Sequence, residues 1–338
     1  MKSILKRYLL CGLSVMLSTT GCTKKDLDSR ADEGYVEIEL LWKSDDPKGH
    51  SIPNGIRFDF YPVEGGEPLT FASDAPECSA LGTCKGFKGS LPSGDYRMIV
   101  ASCEEGQCVE FYNERSYEDA LFRVSRVAAS RANEVAGYAN RIEHVGRLMF
   151  TRRFDDDTDI LKVPFQQKVK RTATPESHVK HVTLNFNIAN PETITKCEGV
   201  FVGVAESVNC CTGVCSATTA SVDFTAERTR AGESGAGFAA DFRVLDLIDP
   251  GQKTSGVHTV YLTVMRVRED GTTEKMTTTI DVTGAVQHII DVNYGTIPSE
   301  IELPLELKIL EDGSLEAEVD EWPEGTGSGD VVSSGTVE

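Results

Sequence analysis

Short runs in which apolar and polar residues alternate, each closed by turn-forming residues, constrain this chain most. Val182, Leu184, Phe186 and Ile188 alternate with Thr183, Asn185 and Asn187. A period of two suits a half-buried strand and scatters apolar groups around a helix. Ile56, Phe58 and Phe60 alternate with Arg57 and Asp59 until Pro62 and the pair Gly65-Gly66 stop the run. Residues 35–42 form another β-rich run. Two hairpins are written locally. Residues 257–267 and 275–282 flank Glu269-Asp270-Gly271-Thr272, and residues 301–310 and 314–319 flank Glu311-Asp312-Gly313. An Asp-Gly between strand-like runs tolerates the positive backbone angles of a tight turn. Helix is scarce, with residues 117–132 the best candidate despite mixed apolar spacing. Many short strands with frequent turns predict an all-β chain of antiparallel β-sandwiches, not a βαβ sheet.

The first 22 residues read as an export signal. Lys2, Lys6 and Arg7 give a positive start, residues 9–17 a short apolar stretch, and residues 18–21 small side chains before Cys22. That stretch is too short to span a bilayer as a helix. The pattern resembles a bacterial lipoprotein signal, with Thr19 standing where leucine is usual. The resemblance implies cleavage before Cys22 and lipidation of that residue. One acyl chain holds a membrane marginally, whereas several hold it firmly. Thr23 is not an aspartate, and Lys24-Lys25-Asp26-Leu27-Asp28 resembles the surface-export run of Bacteroidales-type lipoproteins. Residues 23–34 then serve as a tether. The expected location is the outer membrane, lipid-anchored and exposed at the cell surface.

At 338 residues the chain is long enough for two domains with cores of their own. Ten cysteines are present; with Cys11 in the signal and Cys22 as anchor, eight remain. These are Cys78, Cys84, Cys103, Cys108, Cys197, Cys210, Cys211 and Cys215. An even number in an exported chain argues for disulfides, and their four-and-four division argues for two self-contained halves. Cys78 with Cys84 and Cys103 with Cys108 are the simplest pairs in the first half; stapling of the two segments to each other is the alternative. The spacing of Cys197, Cys210, Cys211 and Cys215 does not suit structural zinc. Residues 35–150 and 179–322 are read as two tandem domains, 151–178 as a polar connection, and 323–338 as a disordered Gly-, Ser- and acid-rich tail. A formal net charge of −19 argues against nucleic acid as a partner.

Residues 91–100 run Leu91-Pro92-Ser93-Gly94-Asp95-Tyr96-Arg97-Met98-Ile99-Val100. Pro92 and Gly94 make a turn, and Tyr96 opens a strand. This stretch resembles the leucine-proline-x-glycine-x-tyrosine signature of fimbrillin-type proteins. Phe58-Asp59-Phe60-Tyr61-Pro62, Phe111-Tyr112-Asn113, Ser116-Tyr117, the run 199–205 and Asp320-Glu321-Trp322 resemble further segments of that group. Together they resemble an uncharacterised family of Bacteroidales lipoproteins allied to fimbrillins and fimbrial anchors, from Cys22 to Trp322. The resemblance implies two fimbrillin-like β-sandwiches in tandem and a role as fimbrial anchor or accessory subunit acting through β-strand exchange. The eight cysteines depart from that group.

No residue constellation commits to a reaction. Gly-x-Ser-x-Gly, phosphate-cradling and dinucleotide motifs are absent, so no cofactor is expected and the chain reads as non-enzymatic. His178 and His181 precede a strand, where their spacing sends side chains to opposite faces. Asp155, Asp157 and Asp159 have the spacing that opens a calcium loop, but Ile160 and Gln166 stand where its glycine and glutamate belong, so no metal is expected. Trp42, Tyr61, Tyr112 and Trp322 would stack on sugars if exposed. A glycan- or host-protein-binding surface lipoprotein is therefore the second reading.

Overall fold

The computed structural model describes residues 32–42, 53, 55–73, 83–102, 108–128, 140–188, 191–229, 237–251, 253, 255–310 and 314–319. The chain is built of strands. In order they are β1 (Glu33–Leu41), β2 (Ile56–Pro62), β3 (Leu69–Ser73), β4 (Thr83–Pro92), β5 (Gly94–Ser102), β6 (Val109–Tyr112), β7 (Leu121–Val124), β8 (Arg141–Ile142) and β9 (Met149–Thr151). There follow β10 (Ile160–Val163), β11 (Lys168–Ala173), β12 (Glu176–Ser177), β13 (Lys180–Ile188), β14 (Ile194–Ala205), β15 (Ser207–Asn209), β16 (Thr219–Thr225), β17 (Glu227–Arg228) and β18 (Gly237–Val244). The series closes with β19 (Thr259–Val267), β20 (Thr273–Asp281), helix α1 (Thr283–Val292), β21 (Glu300–Ile309) and β22 (Leu315–Val319). The chain divides into two compact units: one joins residues 1–101 to 151–176, the other joins 102–150 to 177–338.

In the first unit, one sheet has the order β11-β1-β4. Strand β11 runs parallel to β1 with Tyr35 opposite Lys168, and β4 runs antiparallel with Glu33 opposite Pro92. The other sheet places β2 between β5 and β3, with β10 antiparallel on β5. Phe58 and Phe60 of β2 lie 5.5 and 5.0 Å from Phe87 of β4, so the sheets meet through phenylalanine rings. The turn between β4 and β5 carries the signature read from residues 91–100. Leu91 and Tyr96 are buried, and the Tyr96 hydroxyl donates to the Pro92 carbonyl at 2.8 Å. That bond closes the turn onto the strand it launches. Tyr96→Phe keeps the ring and removes the donor, so a loss of about 1 kcal/mol in urea unfolding is expected; an unchanged midpoint would show that the bond does not hold the turn.

The second unit contains sheets ordered β17-β18-β13-β21-β22, β20-β19-β14-β16-β8 and β15-β7-β6. Phe186 of β13 and Phe242 of β18 lie 6.0 and 6.1 Å from Phe224 of β16, joining the first two of these sheets. Both predicted hairpins form. Strands β19 and β20 pair without a break from Thr259 opposite Asp281 to Val267 opposite Thr273, and β21 pairs with β22.

The all-β reading holds, with three differences in detail. Strand pairing is mixed, because β1 with β11, β13 with β21 and β16 with β8 are parallel. Parallel neighbours need long crossover connections, which local turn signals do not reveal. Residues 151–178, expected as a connection, carry β10 and β11 and belong mainly to the first unit, while residues 102–150 belong to the second. Cys108 thus falls with the second unit. Finally, residues 121–124 form β7 instead of a helix, and Phe122 and Val124 point inward in strand alternation. Among the described residues the α-helix is α1, which buries Ala285, Val286, Ile289 and Ile290. Those positions recur at helical spacing, and that was the available signal.

Candidate functional site

Strands β3 and β4 are edges of the first unit's two sheets. Among the described residues β3 is bonded to β2 and β4 to β1, each on one side. An edge strand leaves alternate backbone donors and acceptors unpaired. Beneath the two edges sits Phe71 of β3, with its ring centroid 4.9 Å from Phe87 and 5.9 Å from Phe60. Phe58, Phe60 and Phe87 are buried, but Phe71 remains 38% exposed. The phenylalanine core therefore reaches the surface along the seam between β3 and β4.

The seam has a polar clip on the opposite face of β2. Asp59, expected on a solvated face, is buried. Arg57 donates to it through Nε at 2.8 Å and Nη2 at 3.0 Å, and Thr70 of β3 donates to Oδ1 at 2.5 Å. A two-pronged guanidinium contact compensates a buried carboxylate well. Thr70 in turn holds β3 in register, with Phe71 opposite Phe58. Chemically, the seam offers main-chain hydrogen bonds on two rims and an apolar floor, which suits an extended peptide segment.

Among the described residues, titratable groups buried in the second unit form no nucleophile–base pair. The Cys215 thiol donates to Asp246 Oδ2 at 3.8 Å. Burial, then Asp246, pushes the thiol up to about 12. Burial also raises the Asp246 carboxyl, opposed by Lys180. Cys197 is likewise pushed up to about 12, chiefly by burial. Thiols held this high are poor nucleophiles. His258 is fully buried and pulled down to about 4 by burial. Its Nε2 bonds the Ile248 carbonyl at 2.7 Å and is therefore the protonated nitrogen.

Several residues singled out in the sequence lie outside the described residues: Cys22, Cys78, Cys103 and Trp322, with the side chain of Cys84. Cys108 precedes β6, and Cys210 is buried after β15. Cys197, Cys211 and Cys215 are free thiols, so pairing expected in the second half is not formed at these three. Cys215 is held beside Asp246, which bonds Ala205 at the end of β14, whereas Cys197 lies near that strand's start. At about 3.3 Å per residue the two are roughly 25 Å apart along the strand, against the roughly 7 Å a disulfide allows between Cα atoms.

Trp42 and Tyr61 are buried and offer no platform. Tyr112 is partly exposed, but its hydroxyl donates to Glu110 at 2.6 Å and the Arg123 guanidinium lies 4.9 Å from its ring. The ring of His178 stacks on Phe150 at 3.6 Å, and His181 bonds Glu300 at 2.8 Å. The two are not brought together. Asp155 accepts from Thr174 and Asp156 from Thr158. Hydrogen bonds from Thr158, with Arg171 nearby, hold the Asp156 carboxyl below its usual range.

No protein-family model and no curated protein sequence matches the chain. Solved structures do. A candidate adhesin from Bacteroides ovatus superposes with a TM-score of 0.53 at 20% identity, covering 90% of this chain and 99% of that one. The chain shares that protein's fold. The fimbrial anchor protein Mfa2 from Porphyromonas gingivalis aligns with a TM-score of 0.46 at 13% identity, over 85% of this chain and 98% of that one. The resemblance read from the 91–100 turn and the 199–205 strand is borne out as fold by the Bacteroides ovatus structure. Among the described residues no helix is long and apolar enough to cross a membrane.

Proposed function

We propose that this chain is a non-enzymatic, lipid-anchored surface adhesion protein that serves as anchor or accessory subunit of a fimbrium. Cys22 carries the lipid, and the β3–β4 seam accepts an extended strand from a fibre subunit. The observation that supports this most is Phe71, an apolar side chain left at the surface between two sheet edges that have no further partner strand among the described residues. An incoming strand would satisfy backbone groups on a rim and cover that ring. The fold shared with a candidate Bacteroides adhesin agrees with a surface role.

The test is photocrosslinking on cells from benzoylphenylalanine placed at Phe71. An adduct with a fibre subunit is expected, and Phe71→Asp should reduce the anchor recovered with sheared fibres severalfold without unfolding the unit. Absence of any subunit adduct on fimbriated cells removes the strand-exchange reading. One observation favours the second reading, ligand binding. Tyr294 is 98% exposed at a positive φ of 57°. The turn holding it is closed by Gly295 donating to Ile290 at 2.9 Å and the Thr296 hydroxyl donating to Asn293 at 2.6 Å. Loss of polysaccharide binding in Tyr294→Ala would assign that role.

A further inference from the structure

One end of the first unit gathers its chain entry, three turns and most of its exposed apolar side chains. Strand β1 starts there at Glu33, opposite the end of β4 at Pro92. Strand β5 starts there at Gly94, opposite the end of β10 at Val163. The turn after β2 is tied in by Val63 donating to Asp95 at 2.8 Å. The turn between β10 and β11 is tied to the chain entry by Gln166 donating to Glu33 and Tyr35 donating to Gln167, both at 2.9 Å. In this unit the exposed large apolar residues, among those described, are Tyr35, Val63, Phe71 and Phe165. Phe71 belongs to the seam; the other three, 41, 46 and 49% exposed, all lie at this end.

The chain reaches this end from Cys22, with residues 23–31 between the cysteine and Asp32. Ten Cα steps span at most about 35 Å, so a lipid on Cys22 keeps this end of the unit nearest the bilayer. We infer that Tyr35, Val63 and Phe165 rest in the interfacial layer of that membrane and set the standing orientation of the first unit. The inference depends on the lipid-anchor reading above. Aromatic and aliphatic side chains favour the headgroup–acyl boundary, where a tyrosine keeps its hydroxyl in water. Charge selects the surface. Asp32, Glu33, Glu64 and Asp95 surround these residues, against Lys162 and Lys168. Lys168 lies 5.6 Å from the Tyr35 ring and is bonded to Glu37 at 2.7 Å, so it is not available to a phosphate. The end suits zwitterionic headgroups and gains nothing from an anionic leaflet.

The experiment uses the full chain in cells that process lipoproteins, with benzoylphenylalanine replacing Phe165, Tyr35 or, as control, Tyr294. Incorporation of labelled palmitate at Cys22 is scored separately. Lipid adducts at positions 165 and 35 and none at 294 are the expected result. A palmitoylated protein without lipid adducts at 165 and 35 overturns the inference and leaves the anchor standing. Adducts with a protein at both positions in place of lipid assign this end to a partner and overturn it too. A chain that takes up no palmitate sinks the anchor reading, and this inference with it. In reconstituted vesicles the adducts should persist on purely zwitterionic lipid; a requirement for anionic lipid contradicts the charge argument.

Discussion

Gly203→Ala is expected to lower stability by about 3 kcal/mol or more, combining backbone strain with overpacking. Gly203 is the bulged residue of β14, where pairing with β16 shifts register between Val202 and Val204. Its φ is 109°, a conformation that a residue with a Cβ rarely adopts. An added Cβ would lie 2.2 Å from His258 Nδ1 and 2.7 Å from the Val257 carbonyl oxygen. His258 is buried and has little room to give way. His258 is pinned by Ile248, and Ile248 itself donates to the Gly203 carbonyl at 2.8 Å. Bulge, histidine and the 248 segment thus form one closed unit. Urea unfolding should show the loss, with Gly284→Ala as control, because nothing lies within 4 Å of a Cβ there and alanine suits a helix. If Gly203→Ala unfolds within about 0.5 kcal/mol of the parent, the bulge is not rigid.

The second large effect depends on acid. His258 is held near 4, mainly by burial, which disfavours the charged ring; the Ile248 carbonyl and then Asp281 and Asp249 oppose this. Its value in the unfolded chain is about 6.5. Between these values the unfolded state binds a proton that the folded state refuses, so stability rises with pH across the window. The contribution is complete above about pH 6.5 and is lost as the pH falls to about 4, with a total near 3 kcal/mol. His258→Gln keeps a donor for Ile248 and cannot titrate. Its stability should fall less steeply than the parent's over that window, and equal slopes would exclude His258 as the source. Carboxylates held low by partners lose stability in the same direction at lower pH. Glu37, lowered to about 2 by hydrogen bonds from Lys168 and Lys88, and Glu274, lowered by Arg268 and Arg266, are two of these. The slope must therefore be compared between variants.

Much of the fold was legible because its signals are local. Alternation at Val182, Leu184, Phe186 and Ile188 marked β13, and Asp270-Gly271 marked the turn between β19 and β20. The 91–100 signature marked a turn whose proline and tyrosine are joined by a hydrogen bond. Glycines of the 199–205 run were visible as a motif, but their reason was not. Gly199 lets β14 pass with room for a Cβ lacking, 2.1 Å from the Tyr261 carbonyl and 2.7 Å from Phe224, and Gly203 does the same at His258. Both neighbours are distant in sequence.

Sequence alone determined the secondary-structure class, the two late hairpins and the chemistry available at each position, since these depend on neighbouring side chains and on backbone preferences. Only the tertiary structure decided which strands become edges, that β11 lies parallel on β1, that Asp59 is buried between Arg57 and Thr70, and that Phe71 stays at the surface. Each of these depends on which strands come to lie beside one another. Their energy comes from burial and from pairing across the fold, and no local pattern of residues encodes which partner will be met.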